Sequence, residues 1–165
     1  HWAMHHNDLS APELWLDTMI AEMDRVGADI LSAVVSIKDD RRLTSTGAVE
    51  PDKSIRRLTL KEVHRLPETF SAADLPSIGI HGDMVINTGL LLVRFDQPWS
   101  DEFHFCQGDD IITLPDGKQR AVCLPEDWAF SLWAIEKGLR KGWVYSCRSG
   151  KLMTVSSSAY SRTFG

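Results

Sequence analysis

Two adjacent carboxylates, Glu126 and Asp127, are the residues of this sequence with the clearest chemical potential. They follow Pro125 and precede an apolar segment, which places them in the first turn of a predicted helix. A carboxylate held on a rigid helix can accept a proton as a general base. Acids in a first helical turn also complement the helix dipole, so the residues alone leave a catalytic and a purely structural interpretation open.

The segment after this pair has the pattern of a helix that ends near Gly138. Apolar residues recur along it at spacings of four, three and four, which predicts one buried face. The residues of this predicted face are Trp128, Leu132, Ile135 and Leu139. The acidic pair should therefore be fixed to the core by its own helix.

A second segment with possible chemistry contains Asn87, Thr88 and Gly89 and runs into an apolar stretch. The pattern predicts a strand near 84–86 and a continuous buried strand over 90–95. Gly89 between them permits a bend or the close approach of a ligand. The sequence is equally consistent with an ordinary strand glycine that is tolerated for packing.

Metal-binding patterns are weak. His5 and His6 are adjacent and would face opposite ways on a strand. A metal-dependent hydrolase that uses His81, Asp83 and His104 is one possible function, and it requires that these side chains lie within ligand distance of one ion.

The elements that must position these residues form an alternating α/β pattern. The capping-box pattern of Ser10 and Glu13 predicts a helix start, and Gly27 predicts its end. A buried strand follows over 28–37, and the proline-interrupted stretch to about residue 77 is predicted to be a loop-rich insertion with only a strand and a short helix over 54–66. A β-hairpin is predicted from 109–114 and 118–123, and later strands from 142–147 and 151–155.

Composition excludes several classes of protein. With 165 residues, 43% hydrophobic and a formal charge of −5, the chain is typical of one globular domain without a general attraction to nucleic acid. No apolar run approaches the roughly 20 residues that span a bilayer. Three separated cysteines without a C-x-x-C pattern favour a reducing compartment, so we expect a cytoplasmic protein, either free or peripheral to a membrane.

Taken together, these segments resemble the carboxyl-terminal part of nucleotide-sugar glycosyltransferases of the GT-A fold. The first helix and the strand that follows it look like the unit after the family's metal-binding D-x-D motif. Residues 87–94 are similar to the family's small-residue turn before a hydrophobic strand, and residues 125–130 resemble its acidic pair followed by an aromatic residue. The resemblance implies one α/β domain over 1–165, a partial GT-A-like mixed sheet flanked by helices, with a β-hairpin and a loop-rich insertion.

The resemblance also implies a reaction and its residues. A sugar would pass from a nucleotide-diphosphate donor to an acceptor hydroxyl of a glycan, lipid or protein. Asp127 would be the base or the carboxylate that orients the acceptor, with Glu126 beside it in the catalytic cleft. We expect the helix start to lower the pKa of Asp127, which weakens it as a base. The substrate-binding residues would be Asn87, Thr88, Gly89 and Trp128.

Departures from the family pattern concern the cofactor. The family uses Mn²⁺ or Mg²⁺ with the nucleotide sugar, but this chain has no D-x-D triplet, and Thr154 stands at about the position of a metal-binding histidine. No metal ligands are therefore predicted. The nucleotide-binding half is also missing, so the expected alternative is a non-catalytic carbohydrate-binding or interaction domain derived from the same fold. An uncovered sheet edge would make a homo-oligomer possible.

Overall fold

The chain folds into short strands interleaved with helices. A computed structural model describes residues 1–7, 9–37, 40–102, 104–139, 143–145, 154–157 and 160–161. In chain order the strands are β1 (Trp2–His5), β2 (Leu9–Ser10), β3 (Ile30–Ala33), β4 (Leu43–Val49), β5 (Ile55–Thr59), β6 (Thr69–Phe70), β7 (Met84–Val85), β8 (Leu90–Val93), β9 (Gly108–Thr113), β10 (Gln119–Leu124), β11 (Trp143–Tyr145), β12 (Thr154–Ser157) and β13 (Tyr160–Ser161). The α-helices of the described residues are α1 (Trp15–Val26), α2 (Leu60–Val63) and α3 (Glu126–Glu136), and 3-10 turns cover Ala72–Ile78 and Ser100–Glu102.

A five-stranded mixed sheet is the centre of the fold. Its strands lie in the order β1, β8, β3, β11, β6. Only β3 and β11 are parallel neighbours in it, and the other neighbours are antiparallel. The predicted strand near 84–86 is confirmed as β7, and the strand predicted over 90–95 is confirmed as β8, which ends at Val93. Of the strand predicted over 142–147, residues 143–145 form β11, and the other residues lie outside the described part of the chain. The α/β class predicted from the sequence is therefore correct.

Helices cover both faces of this sheet. Because successive strand residues point to opposite faces, the unbroken apolar run of β8 contributes to two separate cores. The core beneath α1 includes Met19, Met23, Leu31, Leu90 and Leu92. The core beneath α3 includes Ile30, Leu91, Val93, Phe130 and Ala134. The two helices thus sandwich the central strands.

The stretch predicted to be a loop-rich insertion is more ordered than expected. Its predicted strand and short helix are confirmed as β5 and α2, but β4 was missed. β4 pairs with β5 on one side and with β7 on the other. Its hydroxyl-rich sequence resembles a loop, yet the Thr44 hydroxyl is buried and donates to the carbonyl of Leu58 at 2.9 Å. The buried hydroxyl of Thr44 is thus satisfied inside the sheet, whereas that of Thr46 is buried without a hydrogen-bond partner.

The start of α1 differs from the capping-box prediction. Ser10 lies in β2 instead, and the helix begins at Trp15 after Leu14, whose φ of 63° is left-handed. No side chain caps this end of the helix. The predicted end is confirmed, since Gly27 has a φ of 67° and donates its N–H to the carbonyl of Asp24.

The helix of the acidic pair begins as predicted, directly after Pro125, but a different face is buried. Phe130, Ser131 and Ala134 are the buried residues of α3. The predicted face is only partly buried. Apolar residues of α3 lie on every side of the helix, so their spacing alone does not determine which face is buried.

The remaining elements lie around this centre. The predicted hairpin is confirmed as the antiparallel pair β9 and β10. The last predicted strand is confirmed at Thr154 and Val155, which lie in β12 and pair with β2, and residues 151–153 lie outside the described residues. Among the described helices, none has the length and apolar character that crossing a membrane requires.

Candidate functional site

A cavity of about 430 Å³ lies at one edge of the central sheet. It is lined by the segments that follow β1 and β3 and by the turn that precedes β8. The first turn of α3 closes one side of it. Open α/β sheets bind ligands at this kind of edge, outside the carboxyl ends of strands. The lining residues are His6, Leu9, Val35, Ser36, Ile37, Ser45, Arg57, Asn87, Thr88, Gly89, Pro125, Glu126 and Asp127.

The cavity brings the two predicted site segments together. Asp127 and Glu126 line it from α3, and Asn87, Thr88 and Gly89 line it from the turn before β8. These segments are separated by more than thirty positions in the chain. Trp128, the remaining predicted substrate-binding residue, is not among the lining residues.

Asn87 builds the floor of the cavity from within the protein. Its side chain is buried, and its amide donates to the carbonyl of Ala33 at 2.7 Å. The amide oxygen accepts the N–H of Gly89 at 2.9 Å, and the carbonyl of Asn87 accepts the hydroxyl of Ser32 at 2.7 Å. These bonds fix the turn between β7 and β8, so the contribution of Asn87 to the cavity is to hold its shape.

Gly89 packs closely against the interior of the protein. A Cβ atom placed on it would lie 2.7 Å from Leu9 Cδ1 and 3.1 Å from Val35 Cγ2. The space that the missing side chain leaves is therefore already filled by the protein. Of the two interpretations of this glycine, the structure favours packing.

Thr88 completes the floor and connects it to the end of β1. It is buried, and its Oγ1 lies 3.4 Å from Nε2 of His6, which also lines the cavity. The N–H of His6 donates to the carbonyl of Gly89 at 2.9 Å. The sequence indicated no role for His6 in this site, because the pairing of β1 with β8 that brings it there is not visible in the local pattern.

Ser131 holds the acidic helix against this floor. Its hydroxyl accepts the N–H of Ile86 at 3.0 Å and donates to the carbonyl of Asp127 at 2.8 Å. The hydroxyl therefore connects the backbone of Asp127 to the residue that precedes Asn87. A serine within an otherwise apolar helix was the available signal, and the sequence reasoning did not use it.

The pKa of Asp127 is raised above the ordinary value of 3.8. Burial is the main cause, the neighbouring charge of Glu126 adds to it, and the N–H of Trp128 and the charge of Arg57 oppose it. The prediction that the helix start would lower this pKa is wrong, because loss of hydration outweighs the helix terminus. A raised pKa makes Asp127 a stronger base than the sequence indicated.

Arg57 is the cationic residue that sequence reasoning missed. It extends from β5 to line the cavity, and its Cζ lies 4.6 Å from the ring centroid of Trp128. An arginine over an indole face is a cation–π contact. Arg57 lies in the stretch predicted to be loop-rich. Its place in the cavity depends on how β5 packs in the fold, which the local sequence does not show.

The metal cluster considered for His81, Asp83 and His104 is not found among the described residues. The described part of the chain has no group of three or more His, Cys, Asp or Glu side chains that could hold an ion. His81, Asp83 and His104 thus do not form the cluster that a metal-dependent hydrolase would need.

Comparison of the chain with models of protein families, with curated proteins and with solved structures found no match.

Proposed function

We propose that the chain is a glycosyltransferase-like protein of GT-A type, which transfers a sugar from a nucleotide-diphosphate donor to an acceptor hydroxyl. The observation that carries this proposal is the shared cavity of Asp127 and the turn at Asn87, Thr88 and Gly89. The resemblance in sequence assigns these two segments to one cleft, and they were identified separately, from different motifs. Their meeting in space supports the assignment.

Asp127 acts as the base in this proposal. The acceptor hydroxyl gives its proton to the carboxylate of Asp127 as its oxygen attacks the anomeric carbon of the donor sugar. The bond between that carbon and the phosphate oxygen breaks, and its electron pair leaves with the nucleoside diphosphate. A base with a raised pKa suits this step, since proton transfer is most efficient when the pKa lies near the working pH.

The floor of the cavity has a role in orientation. The turn that forms it is fixed by hydrogen bonds to the amide and carbonyl of Asn87, so its shape does not have to reorganise on binding. Preorganisation of this kind lowers the entropic cost of placing a hydroxyl against a base. Asn87 and Gly89 then shape the site, and Asp127 contacts the reacting group.

The test combines binding with turnover. Isothermal titration of the protein with nucleotide-diphosphate sugars, with and without Mn²⁺ or Mg²⁺, should detect a donor, and release of the nucleoside diphosphate should follow when an acceptor is added. Asp127→Asn should lower the transfer rate by about 10²- to 10⁴-fold, the usual contribution of a general base. Glu136→Gln, which alters an exposed acid at the other end of α3, is the matched control.

Absence of binding to every donor, under both metal conditions, would contradict the proposed transfer. Equal transfer rates for Asp127→Asn and Glu136→Gln would show that Asp127 is not the base.

A second candidate is a non-catalytic carbohydrate-binding domain. In this candidate the fixed turn at Asn87 shapes a binding surface, and no residue acts as a base. Ser36, Ser45 and Asp127 would then bind sugar hydroxyls without reaction. A screen of glycans separates the candidates: binding without turnover favours this domain, and transfer without glycan binding excludes it.

A further inference from the structure

We infer that Arg57 is the positioning residue of Asp127: it holds the Trp128 indole and the first turn of α3 against β5, and through them it holds the Asp127 carboxylate at the cavity. This inference deepens the proposed function and rests on it for the role of Asp127 as a base. It assigns a role to a residue that no local sequence pattern indicated.

The contact between Arg57 and Trp128 joins two parts of the molecule that are distant in sequence. Arg57 belongs to β5, and Trp128 belongs to the first turn of α3. The guanidinium carbon lies 4.6 Å from the indole centroid, within the range of a cation–π interaction. A contact of this kind attracts the guanidinium to the face of the indole ring.

This contact is important for Trp128 because no hydrogen bond fixes its indole ring. Nε1 is buried and has no hydrogen-bond partner. A buried tryptophan is usually fixed by a hydrogen bond from this nitrogen. The ring of Trp128 is instead held by packing and by the guanidinium of Arg57.

The position of Trp128 is transmitted directly to the candidate base. The backbone N–H of Trp128 donates to Oδ1 of Asp127 at 2.8 Å. The same N–H also faces the carbonyl of Pro125 at 3.0 Å, so the first turn of α3, the indole and the carboxylate are held as one unit. A displacement of the indole would therefore displace the carboxylate.

Arg57 also acts on Asp127 through its charge. The groups that act on the Asp127 carboxylate are Glu126 and the Trp128 N–H on its own helix and Arg57 from β5. His6 is a further titratable residue of the cavity lining. Glu126 disfavours the ionised carboxylate, and Arg57 favours it. Removing the positive charge should therefore raise the pKa of Asp127 further.

Titration of the Asp127 carboxyl carbon by NMR tests the inference without any substrate. The protein is labelled at its aspartate carboxyl carbons, and Asp127→Asn identifies the resonance. Arg57→Gln should shift the titration midpoint of Asp127 to higher pH. Arg57→Lys keeps a positive charge and should shift the midpoint less, while both variants should move the Trp128 Nε1–H resonance because a lysine does not reproduce the planar stack.

Arg56→Gln is the matched control, because Arg56 is the neighbouring residue of the same strand and pairs with Glu62 rather than with the cavity. Arg56→Gln should leave the titration midpoint of Asp127 and the Trp128 Nε1–H resonance at their wild-type positions. If Arg57→Gln fails to fold, Arg57→Lys still tests the position of Trp128. An Asp127 midpoint that is the same in wild type and in Arg57→Gln would overturn the inference, as would an unmoved Trp128 signal in Arg57→Lys.

The same titration distinguishes this inference from the proposed function. A shifted midpoint in a protein that binds no nucleotide sugar would contradict the proposed transfer and retain the role of Arg57 in holding Asp127. Sugar transfer with an unshifted midpoint would contradict the role of Arg57 alone. Where sugar transfer is found, the acidic limb of the plot of transfer rate against pH should shift to higher pH in Arg57→Gln. It should not shift in Arg56→Gln.

Discussion

At the scale of single residues, Asp127 shows how burial can reverse an expectation based on local sequence. The helix start favours an ionised carboxylate, and this effect alone would lower the pKa of Asp127. Packing against the cavity removes part of the water that hydrates the carboxylate, and the resulting penalty is larger. Sequence reasoning located the residue correctly and misjudged its acidity, because the extent of burial is decided by distant segments.

The raised pKa of Asp127 predicts a stability that depends on pH. The folded protein binds this proton more tightly than the unfolded chain, so stability is lost as pH rises from the ordinary value of 3.8 toward the raised pKa. Asp127→Asn should therefore have a higher free energy of unfolding than wild type at pH 7, and the difference should vanish near pH 4. Urea denaturation at both pH values measures this.

Asp116→Asn is a useful comparison for that experiment. Lys118 lowers the pKa of Asp116, which is exposed in the turn of the hairpin, so the same substitution there should give a small loss of stability at pH 7. A lower stability of Asp127→Asn at pH 7 would show that the local hydrogen bond of Asp127 outweighs its burial.

Gly89 allows a second test at the residue scale. An alanine Cβ would lie 2.7 Å from Leu9 Cδ1, which is closer than real contacts, and 3.0 Å from Asn87 Oδ1, which is tight, so the surrounding side chains would have to shift. Gly89→Ala should lower the free energy of unfolding by about 1–3 kcal/mol, the usual cost of overpacking a filled core. Thermal or urea unfolding measures it, and Gly108→Ala, whose nearest contact would be 3.5 Å away, should be close to neutral. Equal effects of the two substitutions would argue against tight packing at Gly89.

At the scale of elements, residues with a fixed backbone preference made reliable predictions. Pro125 marked the start of α3, and Gly27 marked the end of α1 by adopting the left-handed conformation. The side-chain pattern at Ser10 failed as a helix start, since that residue pairs with Thr154 in a sheet instead. Backbone geometry is a property of the residue itself, whereas a hydroxyl or carboxylate accepts whichever partner the fold provides.

Ser131 allows a test of how α3 is attached to the sheet. It is buried, and it is the acceptor for the N–H of Ile86. Ser131→Ala would leave that buried N–H without a partner, so the free energy of unfolding should fall by about 1–3 kcal/mol. Chemical denaturation measures this loss, and hydrogen exchange at the Ile86 amide should become faster.

Ser77→Ala is the matched control for this experiment. The hydroxyl of Ser77 is exposed and donates to the carbonyl of Asp74, so its removal leaves no buried group unpaired. Unchanged protection of the Ile86 amide in Ser131→Ala would show that the hydroxyl does not hold the helix.

At the scale of the whole molecule, the candidate site exists because strands that are distant in sequence pair with each other. The two motifs that local patterns could identify, the acidic pair and the turn before β8, do line one cavity. His6 and Arg57 line it as well, and no local pattern indicated them, since each enters the site through a strand pairing. Sequence alone therefore identified the candidate base and the floor, but it could not identify the walls.

The strand β11 gives the last prediction, because it lies between β3 and β6 in the central sheet. Val144 is paired with Ser32 on one side and with Phe70 on the other. A proline at this position has no N–H, so Val144→Pro removes a hydrogen bond of the sheet and leaves a carbonyl unpaired. The loss should be at least about 1–3 kcal/mol, the cost of one unsatisfied buried group. Thermal unfolding followed by circular dichroism measures it, with Val144→Ala as the control that shortens the side chain and keeps the N–H. If the two variants unfold at the same temperature, β11 does not hold β3 and β6 together, and the edge that carries the cavity must be stabilised by β1 and β8 instead.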